Sequence, residues 1–173
     1  ANFEDKMAYV IAHELAHYYL EHSWMSNTGL SYASSIGEFI EDSSYSVDQR
    51  KLSESQADLY AGFYGQIAGY NTLAYGADAL TSIYDDYSLP KKLTGYPSFE
   101  ERLAIIKSKT ETAQNLVTIF ELGNVFLMNK NYNSAKYCFQ FILKNKFNSR
   151  EIYNNLGLSF LLYGISISDA PIS

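Results

Sequence analysis

The sequence predicts a mainly α-helical chain. Apolar residues recur every three to four positions in successive stretches. Ser-x-x-Gln and Ser-x-x-Glu pairs stand near where such stretches open. Towards the C-terminal end, matched positions return at a spacing of 34 residues.

Taken in order, Asn2 to Ser23 reads as the first helix, with Met7, Val10, Ile11, Leu15 and Tyr18 as a buried stripe. Trp24 to Ser46, rich in Ser, Gly and Tyr, reads as a connection with a short helix near Ile36–Ile40. Ser53 and Gln56 fit a capping box, although a helix begun further upstream fits equally well. From there Leu59, Phe63, Ile67 and Tyr70 keep helical spacing, and Glu54 and Asp58 lie one turn apart on one face. A third helix runs from about Thr72 to Tyr87, with Leu73, Ala77, Leu80 and Tyr84 as its stripe. Ser88 to Gly95 is a loop. Ser98 and Glu101 then open a fourth helix, with Leu103 and Ile106 pointing inward.

From about Leu116 the pattern changes. Leu122-Gly123 and Leu156-Gly157 are 34 residues apart, as are Ile119 and Tyr153, and Phe126 and Phe160. Ala135 and Phe139 fall between them, where a second helix would pack closely. This is the tetratricopeptide pattern of stacked helical hairpins, here one full repeat and part of a second. The expected organisation is a helical domain over residues 1–110 and a repeat region over 111–173. Cys138, the only cysteine, falls on the second helix of the repeat and is expected as a core or half-buried residue, not a nucleophile; no internal disulfide is possible.

Composition narrows the function classes. The net charge is −6 and uneven: residues 1–108 carry 15 acidic against 7 basic side chains, −8, and residues 109–173 carry 4 against 6, +2. Neither part has the basic stripe that a phosphate backbone requires, so nucleic acid is not expected as a partner. No run approaches the roughly 18 apolar residues of a membrane span. The chain begins only twelve residues before His13 and ends within a repeat, so both ends read as cut from a longer protein.

The chemistry centres on His13-Glu14-Leu15-Ala16-His17. Residues four apart share a helix face, so His13 and His17 can offer two imidazole nitrogens to one cation while Glu14 reaches a water beside it. This HExxH arrangement is that of zinc hydrolases, and Glu is a common third ligand after two His, a place Glu54 can take. Asp58, one turn further on, is placed to accept the outer N–H of a ligating histidine.

These stretches resemble a zinc metallopeptidase family that includes the prenyl-protein (CAAX) endopeptidases, the HtpX heat-shock membrane protease and the periplasmic β-barrel-assembly-enhancing protease. HELAHYYLEH is similar to the family's HExGHxxxxH, His22 included. ESQADLYAGFYGQIAGYN resembles its ExxAD helix, and YPSFEERLAII its HPxxxxRI segment, matching Pro97 and Arg102. Tetratricopeptide repeats also follow the peptidase domain of the barrel-assembly-enhancing member. The resemblance implies a truncated zincin-like helical core, with His13, His17 and Glu54 holding Zn2+ and Glu14 as general base and acid. It implies Asp58, His22 and Arg102 as supporting residues. Ala16 replaces the family's Gly, and Tyr96 stands where the family has a His near the metal; three readings stay open for it, that its hydroxyl stabilises an oxyanion, that it ligates weakly, or that the position has lost its role. The substrate would be a protein or peptide, bound in the family as an added strand on a sheet preceding HExxH, and almost nothing precedes it here. The repeats would recruit substrate or a protein partner. A bacterial envelope or periplasmic location is implied, with the cytoplasm as the alternative. Two other readings stay open: a pseudo-peptidase that uses its repeats as a binding scaffold, and a regulatory protease resembling the ImmA/IrrE group.

Overall fold

A computed structural model of the chain describes residues 2–20, 22, 47–92 and 97–168. Six helices make up 83% of these residues, and no strand occurs among them. They are α1 (Phe3–Tyr19), α2 (Val47–Ile67), α3 (Thr72–Asp86), α4 (Phe99–Met128), α5 (Tyr132–Lys144) and α6 (Arg150–Ser168). The connection at 24–46, with the short helix expected at 36–40, and Tyr96 lie outside the described residues. Among those described, no helix is long and apolar enough to cross a membrane.

The chain divides into two compact units, Ala1–Gln114 and Asn115–Ser173. The division falls within α4, four residues beyond the domain boundary read from the sequence, because one continuous helix contributes to both units.

In the first unit, α1 packs on α2 and α3. Close approach comes from small residues: Ala57 and Ala61 of α2 are fully buried, and Ala16 and Ala79 nearly so. A Cβ at Gly76 would meet the Tyr9 ring at 2.6 Å, and one at Gly65 would run into the Thr72 side chain. Gly69 ends α2 in the left-handed region (φ 98°), where Tyr70 N–H donates to Gly65 O and Gly69 N–H to Gln66 O; both bonds satisfy terminal carbonyls. The Ser98–Glu101 capping box forms in both directions: Ser98 N–H donates to Glu101 Oε2 (2.8 Å) and Glu101 N–H to Ser98 Oγ (3.2 Å). Ser53 and Gln56, by contrast, cap nothing, because α2 has already begun at Val47.

One expectation fails on α1. The stripe read as buried is largely exposed, with Met7 at 41%, Ile11 at 53%, Leu15 at 48% and Tyr18 at 64%. The face turned inward instead carries Tyr9, His13, Ala16 and His17. Polar side chains take the interior because α2 presents buried carboxylates to them, which Arg102 of α4 pairs in turn. On α2, Phe63 is fully buried, whereas Tyr70 lies beyond the helix end and is exposed.

In the second unit, Ala135, Phe139 and Ile142 of α5 and Ile152 of α6 are fully buried. Gly123 admits the α5 face, since a Cβ there would meet the Phe139 ring at 2.8 Å. Asn131 caps α5 through Oδ1, which accepts from Ser134 N–H at 3.3 Å. Asn155 Nδ2 of α6 donates to Asn124 Oδ1 of α4 at 2.8 Å. Cys138 is half-buried, and burial pushes its thiol pKa up, away from thiolate reactivity.

Candidate metal centre

All described residues of the candidate site belong to the first unit. Helical periodicity on α1 stacks Tyr9, His13 and His17 on one face. The same periodicity on α2 places Glu54 and Asp58 opposite them, and Arg102 enters from the first turn of α4. All six are buried.

His13 Nε2 lies 2.9 Å from His17 Nε2 and 3.3 Å from Glu54 Oε2, and His17 Nε2 lies 3.7 Å from Glu54 Oε1. A zinc ion with bonds of about 2.0–2.1 Å at tetrahedral angles holds its ligand atoms about 3.3 Å apart. The three spacings bracket that value, and one donor atom from each residue falls within 4.8 Å of the others. Two imidazole nitrogens and a carboxylate converging on one point form a donor set that zinc prefers. The residues present therefore fit the ion.

Further contacts orient these side chains. His13 Nδ1 lies 2.9 Å from Asp58 Oδ1, which also accepts from Tyr9 Oη at 2.8 Å. A carboxylate at Nδ1 fixes the proton there and leaves Nε2 turned to the cluster. Arg102 bridges the two acids, with Nη1 2.5 Å from Glu54 Oε2 and Nη2 3.4 Å from Asp58 Oδ1. On the other side, His17 Nδ1 lies 2.7 Å from His22 Nδ1, and His22 Nε2 lies 2.9 Å from Gln56 Oε1.

The electrostatics follow from burial and pairing. Burial would raise the Glu54 carboxyl, yet the Arg102 guanidinium and the hydrogen bonds from His13 and His17 hold it well below the usual carboxylate range. Burial likewise opposes a charge on His13, but hydrogen bonds and charges from Asp58 and Glu54 outweigh it and raise the imidazole to about 9. Burial first, and then Asp58, raise the Tyr9 phenol well above its ordinary value. Burial lowers His22 and favours its neutral form. With neutral imidazoles, two carboxylates and one guanidinium leave one negative charge inside the cluster. A proton on His13 or a bound cation compensates it.

Glu14, on the same helix as both histidines, is exposed. Its position next to His13 leaves its carboxylate on the solvent side of α1. Tyr9 and Gln56 are contributors that the motifs did not single out. Tyr9 had a spacing signal, one turn before His13; Gln56 had only the capping-box match with Ser53 and its place between Glu54 and Asp58.

Comparison of the chain with protein-family models, curated proteins and solved structures finds no match.

Proposed function

We propose that the chain carries the catalytic centre of a zinc-dependent endopeptidase. The observation that supports this most directly is the convergence of His13 Nε2, His17 Nε2 and the two Glu54 carboxylate oxygens at spacings of 2.9 to 3.7 Å, with supporting groups behind each histidine. A zinc ion supplies Lewis acidity, polarising a scissile carbonyl and lowering the pKa of nearby water towards about 7. Glu14, exposed next to His13 in the chain, would take a proton from the attacking water and deliver it to the leaving amine. Asp58 and His22 hold the two imidazoles in orientation, and Arg102 holds Glu54 ionised. Protein substrates fit a peptidase, and the second unit is the candidate recruiting surface.

Two measurements test this. Metal analysis of protein prepared without chelator is expected to find about one zinc per chain. Glu14→Gln is expected to keep the metal while abolishing peptide hydrolysis; full activity in that variant rejects the mechanism, and absence of bound zinc in the parent rejects the site.

A second reading, a non-catalytic cluster within a binding module, draws support from one contact. Arg102 already pairs with Glu54, so with a proton on His13 the cluster is balanced without a metal. Under that reading chelation leaves stability unchanged near neutral pH.

A further inference from the structure

We propose that the outward face of α6 is a dimerisation surface, on which a second copy of this chain packs its own α6 antiparallel to the first. The inference lies within the second unit and does not rest on the metal-site reading.

The face combines a large apolar area with an absence of charge. From Ile152 to Ser168, α6 carries no charged side chain. A helix packed on one side only normally places charged residues on the other. Here Ile152 and Ser159 are the buried residues, while seven large apolar side chains between Tyr153 and Ile167 stay 37 to 60% exposed. Together they leave about three and a half whole side chains in water, roughly 500–850 Å² at about 150–250 Å² each. That is comparable to the roughly 800 Å² each partner contributes to a standard interface. An exposed apolar area of this size marks an interaction site. The α1 helix exposes a comparable stripe, but Glu4 and Glu14 stand exposed among its residues.

The shape of the face suits a copy of itself. Helical periodicity sets Gly157 and Gly164 on the side away from Ile152 and Ser159. A Cβ at either glycine would meet nothing within 4 Å among the described residues. Glycine inside a helix is destabilising relative to alanine, so two of them on an open face only weaken an α6 that stands alone. At Gly123 of α4 the same vacancy has an occupant, the Phe139 ring of α5. Around a two-fold axis passing between Phe160 and Leu161, antiparallel α6 helices set Gly157 of one copy opposite Gly164 of the other. Tyr153 then falls level with Ser168, and Phe160 with Leu161. Large side chains meet small or apolar ones, no charge is buried, and the glycines let the helix axes approach to the lower end of the usual range of about 8–10 Å. Such a pairing is isologous and closes at two copies.

The test is sedimentation velocity on the full chain across a concentration series, with circular dichroism and urea denaturation as controls. The parent is expected to pass from monomer to dimer as concentration rises through the micromolar range. Leu161→Glu puts two carboxylates beside the axis and is expected to weaken dimerisation by at least about a hundredfold. Gly157→Leu has open space in a single copy but none between two, and is expected to weaken it by at least about tenfold while the helical signal and the urea midpoint of the dilute monomer are kept or raised. A parent that stays monomeric throughout overturns the inference. A dimer that survives both substitutions forms through another surface and overturns it equally.

Discussion

Replacing Arg102 by leucine tests whether the buried charges form one balanced set. The guanidinium contacts Glu54 Oε2 at 2.5 Å and Asp58 Oδ1 at 3.4 Å, and both acids are buried. Removing it leaves two carboxylates facing one protonatable histidine. Breaking a buried ion pair from one side costs about 3–5 kcal/mol, and that range is expected for Arg102→Leu in the presence of chelator. Zinc changes the balance, because the variant cluster carries one more negative charge for a cation to neutralise. The parent gains about 2.7 kcal/mol at a zinc concentration of 100 times its Kd, and the variant is expected to gain more, so the cost of the substitution shrinks. The assay is urea denaturation followed by circular dichroism, with parent and variant each measured in chelator and in zinc. Arg102→Lys, a point charge unable to bridge both acids in one planar fork, is expected to fall between the two. A cost below about 1 kcal/mol in chelator refutes the ion-pair reasoning. An identical cost with and without zinc refutes the coupling between Arg102 and the cation site.

Other expectations follow from the same structure. In chelated protein, His13 has a folded pKa of about 9 against an ordinary 6.5. Its contribution is therefore complete below about pH 6.5 and lost as pH rises towards 9, at most about 3 kcal/mol; denaturation midpoints measured over that window check it, and saturating zinc is expected to flatten the profile. Tyr9→Phe removes the 2.8 Å hydrogen bond to Asp58 and is expected to cost about 1–2 kcal/mol in urea denaturation, with secondary structure unchanged. Lys130, which ends α4 at φ 61°, sits where glycine is favoured, and Lys130→Gly is expected to stabilise by about 0.5–1 kcal/mol. Leu15→Ala, on the exposed face of α1, is expected to cost under about 1 kcal/mol, against the 2–5 kcal/mol of a core leucine.

Helical class was legible because it is written locally. The Ser98–Glu101 box needs only two side chains three residues apart, and both of its hydrogen bonds form. Ala135 and Phe139 reached the core of the second unit from spacing alone, since a small residue and a ring are what Gly123 leaves room for. Boundaries were harder. Nothing in Val47–Leu52 announces a helix start, and the Ser53–Gln56 pair has the form of a cap without the role, because capping chemistry is recognisable by type while its use depends on where the backbone is already helical. The division inside α4 carries no turn residues, so the change of pattern near Leu116 placed it only to within four residues.

The candidate site inverts the usual order of inference for α1. Reading Met7, Ile11, Leu15 and Tyr18 as the inward stripe applies a rule that holds when the alternative face is merely solvated. Here the alternative face carries Tyr9, His13 and His17, and its partners Glu54, Asp58 and Arg102 are themselves buried. Fully burying an aliphatic side chain contributes about 1.5–3 kcal/mol, whereas leaving one buried charge of such a set unpaired costs about 3–5 kcal/mol. The polar face therefore wins, and only as a complete set, since each member removes the penalty of another. Periodicity cannot reveal that outcome because it sees one helix at a time. The spacing of Glu54 and Asp58 on α2 is what makes the histidine face of α1 the one that must turn in, and it leaves Glu14 exposed on the solvent side of that helix.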